Sequence, residues 1–188
     1  DMTLQALSPK ASYELNNPGT LEFTLLPGNV AYNGLHKLKT VVTLEQDGEL
    51  IFRGRVLETT TDMYNQKEVY CEGDLSYLHD SAVRPYTFEG SASSLFYQLV
   101  AQHNAQVESS KQFVAGTVTA ASGEELPKFS SDACTDTLSE IKTILVDQFG
   151  GYLRVRYSGS TRYLDYIDSY SASSGQAIEF GVNLVDLE

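Results

Sequence analysis

Residues 38–80, which decide the fold, read LKTVVTLEQDGELIFRGRVLETTTDMYNQKEVYCEGDLSYLHD. Apolar and polar residues alternate in three runs of this stretch, as in strands with one buried face. Asp47-Gly48 supplies a tight turn between the first two runs, and the polar residues 62–66 supply a turn between the second and third. The apolar faces comprise Val42, Leu44, Leu50, Phe52, Val56, Val69, Cys71 and Leu75. We therefore predict a three-stranded antiparallel meander.

Gly54 lies between Arg53 and Arg55 in the middle of the second predicted strand. A glycine inside a strand marks a bulge or the bend of a closing barrel, or it admits a ligand close to the backbone. The bend is the interpretation we favour. The two arginines are predicted to point outwards on one side of the strand, where they are either solvated or paired with a neighbouring subunit.

The composition is that of a globular protein with an acidic surface. The chain has 188 residues, of which 41% are apolar, enough for one large domain or two small ones. Its 25 acidic and 13 basic side chains give a net charge of −12. This charge disfavours binding to nucleic acid or to anionic membranes, so we predict no nucleic-acid site.

The sequence predicts no disulfide, no metal site and no membrane segment. Cys71 and Cys134 lie far apart without a Cys-x-x-Cys pair, and both are expected to be reduced and buried. No apolar run approaches the roughly 20 residues that cross a bilayer. No basic and apolar leader precedes the first strands, so we expect synthesis in the bacterial cytoplasm without a signal peptide.

Further strands and turns are predicted on the N-terminal side of the meander. Residues 1–19 are polar and rich in turn formers, and Leu21, Phe23 and Leu25 then alternate with polar residues in another strand of the same sheet. Residues 29–38 are predicted to form turns or one short helical piece. Four or more short antiparallel strands indicate a small barrel.

Two helices follow after Arg84-Pro85. The first is capped by Ser91 or Ser93 and ends at Asn104, and its apolar stripe consists of Leu95, Phe96, Leu99, Val100 and His103. The second is capped by Thr135 or Asp136 and stopped by Gly150-Gly151, and its stripe consists of Leu138, Ile141, Leu145 and Phe149. Cys134 extends this second stripe as a packing thiol.

Short extended segments complete the chain. Residues 111–119 are predicted to be extended, and residues 120–128 to form an exposed loop. Leu153, Val155 and Tyr157 alternate with arginines in the first strand of a hairpin that turns at residues 158–160 and returns over 163–167. A loop over 169–175 then leads to a last strand over 176–180.

The order and spacing of these segments resemble the tail proteins of phages and prophages, in particular the baseplate hub or tail-associated proteins also called minor structural proteins or prophage endopeptidase tail. The resemblance runs from Leu21 to the C-terminus, with Val182 as a local departure. It is carried by FRGRV at 52–56, VYCEG at 69–73, LSYLHDS at 75–81, RP at 84–85, HN at 103–104, KQF at 111–113, Gly116, GGYLRVR at 150–156, YLDY at 163–166, IEFG at 178–181 and NL at 183–184.

The resemblance implies an α+β fold that is mostly β, with a small antiparallel β-barrel followed by a helix-strand-helix-hairpin domain. We expect the barrel over residues 1–86, the α+β domain over 87–172, and a strand over 173–188 that leads towards a missing second barrel. Three copies of the full-length protein are expected to form a ring that closes the tail tube at the virion tail tip. The implied partners are the chain itself and other tail proteins, such as the distal tail and tape-measure proteins.

No catalytic constellation is visible in the sequence. His36, His79 and His103 lack metal-ligand neighbours at helical spacing, and His103 is interpreted as a residue that binds the last carbonyls of its helix. We therefore predict no catalytic, cofactor or metal residues, and a structural tail component. The alternative is the N-terminal part of a tail-associated cell-wall hydrolase, an endopeptidase, with any activity in a missing C-terminal module.

Tyrosines are gathered in the last hairpin, where aromatic rings with a polar tip suit protein interfaces. They are expected to form subunit contacts or plain packing, ahead of saccharide binding. The candidate subunit interface comprises Arg53, Arg55, Tyr152, Tyr157 and Tyr163.

Overall fold

The computed structural model describes residues 6–132 and 134–170, and its strands account for 46% of the structure against 22% for helices. The predicted α+β, mostly β class is confirmed. No helix of these described residues is long and apolar enough to cross a membrane.

The first five strands form one antiparallel sheet that curls into a half barrel. Their order in the sheet is β1-β2-β5-β4-β3, so the predicted meander is confirmed as its last three strands and the predicted strand at Leu21 as β2. Asp47 and Gly48 both have positive φ, as the predicted tight turn requires. The strands are β1 Ala6–Ser12, β2 Thr20–Leu25, β3 Val41–Gln46, β4 Glu49–Thr61 and β5 Lys67–Gly73.

The concave side of the half barrel holds the first hydrophobic cluster. Its buried members are Leu21, Leu25, Phe52, Val56, Val69 and Cys71. Two residues of the predicted apolar faces depart from the expectation. Leu50 is exposed near the turn into β4, and Leu75 lies beyond β5 in a 3-10 helix, Asp74–Asp80.

The remaining elements form three small sheets and two helical segments. β11 pairs with β12 in the predicted hairpin, and β8 adds to β12 in parallel; β7 pairs with β9, and β6 with β10. The strands are β6 Ala82–Val83, β7 Tyr86–Ser91, β8 Val114–Val118, β9 Glu125–Ser131, β10 Thr135–Asp136, β11 Tyr152–Ser158 and β12 Thr161–Ile167. The first helical segment is α1 Ala92–Asn104, which a 3-10 turn Ser109–Lys111 follows. The second runs without a break through α2 Thr137–Ile141, a π-helical turn Lys142–Val146 and α3 Asp147–Phe149.

Both predicted helices begin and end where the capping residues place them. The Ser91 hydroxyl accepts a hydrogen bond from the backbone N–H of Ser94 at 3.2 Å, and Asp136 accepts one from the N–H of Ser139 at 3.0 Å. Gly150 has a φ of 74° after the last helical turn, where a left-handed residue ends the helix.

A second hydrophobic cluster lies under the helices and the hairpin. The stripe of α1 is completely buried in it, together with Leu138, Ile141 and Leu145 of the second helical segment. Leu75, Tyr77 and Leu78 of the 3-10 helix join this second cluster, although they follow the half-barrel strands directly in sequence. The domain division at residue 86 stays a prediction.

Three expectations need correction, and a fourth is not tested. The N-terminal segment contains β1, an exposed strand that pairs with β2 alone among the described residues, and its side chains carry no apolar pattern. The predicted loop over 120–128 runs into β9, where Pro127 falls at an irregularity in the pairing with β7. Cys134 is exposed, because it precedes the first turn of α2, and the helical stripe does not extend to it. The strand predicted over 176–180 lies outside the described residues.

The turn between β1 and β2 docks the half barrel onto the second cluster. The side-chain amide of Asn16 donates to the carbonyl of Gly151 at 3.1 Å and accepts from the N–H of Leu153 at 2.7 Å. The ammonium of Lys142 donates to the side chain of Asn17 at 2.7 Å. Polar contacts therefore fix the relative position of the two parts at this end.

Gly54 is required by a close approach of two backbones. It pairs with Val42 on one side and with Gly73 on the other, and the pairing irregularities lie elsewhere in β4. A Cβ atom built on Gly54 would lie 2.1 Å from the carbonyl oxygen of Glu72. The neighbouring strand occupies the space that a side chain would need, so a ligand is not the reason for this glycine.

We expect Gly54→Ala to destabilise the chain by about 3 kcal/mol, because β5 must move away to admit the methyl group. Urea denaturation of the purified variant measures the loss. Gly28→Ala is the matched control, since no atom lies within 4 Å of a Cβ at Gly28, and we expect it to leave stability unchanged. Equal stabilities of the two variants would contradict the close-approach explanation.

Candidate functional site

Arg55 lies at the centre of a buried ion-pair network between the half barrel and the second part of the chain. Its Nε donates to Glu72 at 2.7 Å, and its two terminal nitrogens donate to the two oxygens of Asp80 at 2.6 and 2.9 Å. Only 2% of the residue is exposed. The expectation that Arg55 is solvated is therefore wrong, while its place in a subunit interface stays a prediction.

The 3-10 helix explains why Arg55 is buried. The alternation along β4 does place Arg55 on the face of the sheet that points away from the apolar core of the half barrel. The segment Asp74–Asp80 folds back over this second face and covers it. The ring of Tyr77 then packs against the guanidinium, 4.7 Å from ring centre to Cζ. Burial opposes ionisation of Asp80, but the hydrogen bonds from Arg55 and Lys111 outweigh it and lower the pKa of this carboxyl.

A second buried arginine completes the network from the hairpin side. Arg162 donates through Nε to the hydroxyl of Tyr157 at 2.8 Å and through Nη1 to the carbonyl of Ser110 at 3.1 Å. Its Nη2 lies 3.4 Å from a carboxylate oxygen of Asp74. The Tyr157 hydroxyl donates to the other oxygen of Asp74. Tyr77 is thus held between the two guanidinium groups, since the Cζ of Arg162 lies 4.3 Å from its ring centre.

Burial has the largest effect on the pKa values of Asp74 and Tyr157. It raises the pKa of Asp74, and the hydrogen bond from Tyr157 and the charge of Arg162 offset only part of that rise. Burial also raises the pKa of Tyr157 to about 12, aided by the hydrogen bond to Asp74. The phenol therefore stays protonated at neutral pH and acts as a donor to the carboxylate.

A groove of about 1080 Å³ opens above this network, between the half barrel and the hairpin. We call it the junction groove. Five of the 13 basic side chains line it, whereas Glu108 is the one acidic side chain along its lining. The basic residues are Lys37, Lys39, Arg53, Lys111 and Arg162, and the apolar ones include Leu38, Val41, Tyr77, Phe113, Val114 and Tyr157.

The lysines of the junction groove fall into two groups. Lys111 is paired with Asp80 at 2.8 Å. Lys37 and Lys39 lie in the turn before β3, both are exposed, and their ammonium groups have no hydrogen bond or ion pair within the described residues. The groove therefore offers free positive charge on the half-barrel side.

Two arginines on the hairpin share one buried carboxylate. Asp165 is completely buried and accepts from Arg156 at 2.7 Å, from Arg154 at 2.8 Å and from the backbone N–H of Thr117 at 2.8 Å. Burial would raise the pKa of Asp165, but these hydrogen bonds outweigh it and lower the pKa. A Cβ atom at Gly116 would lie 1.9 Å from this carboxylate. The close approach of β8 to β12 therefore requires a glycine at this position.

The predicted interface residues are spread over two surfaces. Arg53 keeps 36% of its side chain exposed, with its guanidinium 4.6 Å above the ring of Tyr157. Tyr163 lies under the guanidinium of Arg156 at 4.2 Å, and the ring of Tyr152 lies 5.3 Å from that of Tyr170. Arg53 and Tyr157 thus come together at the junction groove, while Tyr152 and Tyr163 are separate from them. Their role as subunit contacts stays a prediction.

His103 differs from its predicted role. Its Nε2 donates to the carbonyl of Lys111 at 3.2 Å, which leaves Nδ1 of the neutral ring to accept from the hydroxyl of Ser81 at 2.7 Å. It therefore ties the loop after α1 to the 3-10 helix and does not cap the carbonyls of its own helix. Burial lowers the pKa of His103, so the ring stays neutral at neutral pH.

Neither this pair nor the other histidines form a usable catalytic centre. Ser81 and His103 are in hydrogen-bonding distance, as a nucleophile and its base would be, but both are buried and the second ring nitrogen meets a backbone carbonyl. His79 contacts Asp136 at 2.8 Å, where the carboxylate also caps α2. Within residues 6–132 and 134–170, no three His, Cys, Asp or Glu side chains are grouped to hold a metal ion.

The curled half barrel followed by helices and a hairpin is a fold found in phage tail proteins. The chain is similar to the 43 kDa tail protein of prophage MuSo2 from Shewanella oneidensis, with a TM-score of 0.58 and 14% identity over 97% of this chain. It is also similar to the prophage tail protein gp18 of Listeria monocytogenes, with a TM-score of 0.53 and 16% identity over 95% of this chain.

The chain spans 58% of the first of these proteins and 50% of the second. At such low identity the likeness concerns the fold. The sequence matches no protein-family model and no curated protein.

We expect Arg55→Met to destabilise the chain by about 3 kcal/mol, because the change removes the arginine partner of Glu72 and leaves Asp80 paired with Lys111 alone. Chemical denaturation measures the loss. Arg53→Met is the matched control, since Arg53 is partly exposed and lies 3.8 Å from Asp74. We expect it to cost about 1 kcal/mol or less. Equal losses would show that burial of Arg55 has no special role.

We expect Asp165→Asn to be less stable than the unchanged chain at neutral pH, with a gap that shrinks in acid. A carboxyl whose pKa is lowered by folding stabilises the fold above the unfolded value of about 4, and that stability is lost as the pH falls further. Urea denaturation from about pH 7 to about pH 3 measures the gap. Asp47→Asn, in an exposed turn, controls for the loss of one carboxylate. A gap that stays constant with pH would contradict this prediction.

Proposed function

We propose that the chain is a structural component of a phage or prophage tail. The observation that carries the proposal is the likeness in fold to two prophage tail proteins over 97% and 95% of this chain. Both proteins are named for their place in a tail, and the likeness covers the half barrel and the helix-hairpin part together. A structural role also agrees with side chains that are used mostly for packing and internal ion pairs.

The proposal extends to a position at the tail tip. There, three copies of the full-length protein form a baseplate hub, a ring that closes the tail tube and supports host attachment. The distal tail and tape-measure proteins are its proposed neighbours. The motifs of the meander and the hairpin support this assignment, since they follow the order and spacing of the hub proteins that the sequence resembles.

Subunit contacts in the ring are proposed at the exposed aromatic and basic residues of the hairpin and β4. Arg53, Tyr152 and Tyr163 are partly accessible, which an interface residue requires. Arg55 and Tyr157 contribute by holding Arg53 and the hairpin in place, because their polar groups already have internal partners. Rings of this kind use unlike surfaces on neighbouring copies.

The hydrolase alternative places any activity in a missing C-terminal module, and the described residues add no catalytic site of their own in its support. An endopeptidase requires an accessible nucleophile or metal beside a base. The Ser81 and His103 pair is buried, and the histidine at position 79 faces a helix cap. The structural role is therefore the function that we carry forward.

Deletion of the gene from an inducible prophage tests the proposal. We expect lysis without infectious tailed particles, restoration by the intact gene, and an epitope-tagged copy at the tail tip in immunogold micrographs. Normal particles from the deletion strain would overturn the tail role. A zymogram on bacterial cell walls provides the enzymatic control, and clearing by the purified chain would favour the hydrolase.

A further inference from the structure

The junction groove concentrates positive charge in an acidic protein. Six basic and four acidic side chains lie along it or in the network directly beneath, so it carries an excess of two positive charges in a chain of net −12. The acidic ones are Glu72, Asp74, Asp80 and Glu108, and the basic ones are Arg55 and the five lining residues. The internal carboxylates are already engaged, and they do not reach Lys37 and Lys39.

Apolar surface lies beside this charge. Val41 and Val114 are 43% and 47% exposed on opposite sides of the junction groove, and Leu38 is exposed next to Val41. The rings of Tyr77 and Phe113 form a buried floor between them. A partner that neutralises the lysines alone would leave these apolar side chains in water, so the surface fits a partner with both acidic and apolar groups.

The first residues of two strands line the junction groove. Val41 begins β3 and Val114 begins β8, and within residues 6–132 and 134–170 each of these strands lies at the edge of its sheet. An edge strand leaves one side of its backbone unpaired, and an extended peptide can add to it through main-chain hydrogen bonds. Side chains of such a peptide alternate between two faces, which separates acidic from apolar residues.

We propose that the junction groove binds an extended segment of a different polypeptide in which acidic and apolar residues alternate. The acidic side chains pair with Lys37 and Lys39, and the apolar ones cover Val41 and Val114. A nucleic acid fits less well, because the net charge of −12 repels a phosphate backbone and the rim offers aliphatic side chains in place of exposed aromatic rings. This proposal is independent of the tail role.

The test measures binding of a labelled peptide of alternating Glu and Val to the complete chain by fluorescence anisotropy. We expect binding that weakens from about 0.01 M to about 1 M salt, where screening shortens the reach of charge. We expect Lys37→Glu with Lys39→Glu to weaken it by about tenfold or more, which corresponds to about 1.4 kcal/mol. Both lysines are exposed, so thermal unfolding of this double variant should be unchanged.

Arg84→Glu with Lys128→Glu is the matched control, since it changes the net charge equally at exposed sites outside the junction groove. We expect it to retain binding within about twofold. Equal weakening by both double variants, absence of binding, or equal binding of a Lys-Val peptide would overturn the proposal.

Two further measurements distinguish other occupants. Binding of duplex DNA as tightly as the Glu-Val peptide would overturn the assignment to a polypeptide. Salt-sensitive self-association that the Lys37→Glu and Lys39→Glu variant abolishes, seen by light scattering, would identify a second copy of this chain and overturn the assignment to a different polypeptide.

Discussion

The burial of the Arg55 guanidinium is the constraint on which the arrangement of the two parts depends. A charged group away from water is tolerated only with its hydrogen bonds satisfied, and here one strand neighbour and one end of the 3-10 helix supply the acceptors. The bidentate contact with Asp80 also fixes direction, because a planar guanidinium meets a carboxylate in few orientations. Such a pair adds less to stability than an apolar contact of equal size would, but it specifies where the 3-10 helix must lie.

The position of the 3-10 helix has consequences on both of its sides. Towards the half barrel it covers the second face of β4, and towards the helices it contributes three apolar residues to the second hydrophobic cluster. Tyr77 lies between Arg55 and Arg162, so one ring contacts a guanidinium of the half barrel and a guanidinium of the hairpin.

Local patterns were sufficient to predict the elements whose structure is decided locally. The meander, α1, the start and end of the second helical segment and the β11–β12 hairpin follow from alternation, caps and turn residues. β1 and β9 were missed because each contains a proline and shows no apolar period, and each is held by the backbone of a neighbouring strand. The burial of Arg55 was missed because the covering segment, Asp74–Asp80, lies 19 to 25 residues further along the chain. The partner that a strand register would have indicated is Glu72, which lies directly opposite Arg55 in the neighbouring strand.

A fold shared at 14% to 16% identity leaves the surface as the place where one protein differs from another. The half barrel needs alternation, a close approach at Gly54 and a buried arginine with its acceptors, and many sequences satisfy these conditions. The fold does not require Lys37, Lys39 or the exposed valines at the junction groove, since none of them has an internal polar partner or a fully buried side chain. Exposed apolar surface has a cost in solubility, and the unpaired charge beside it brings no evident gain in stability. Their presence beside two strand edges is therefore better explained by binding than by folding.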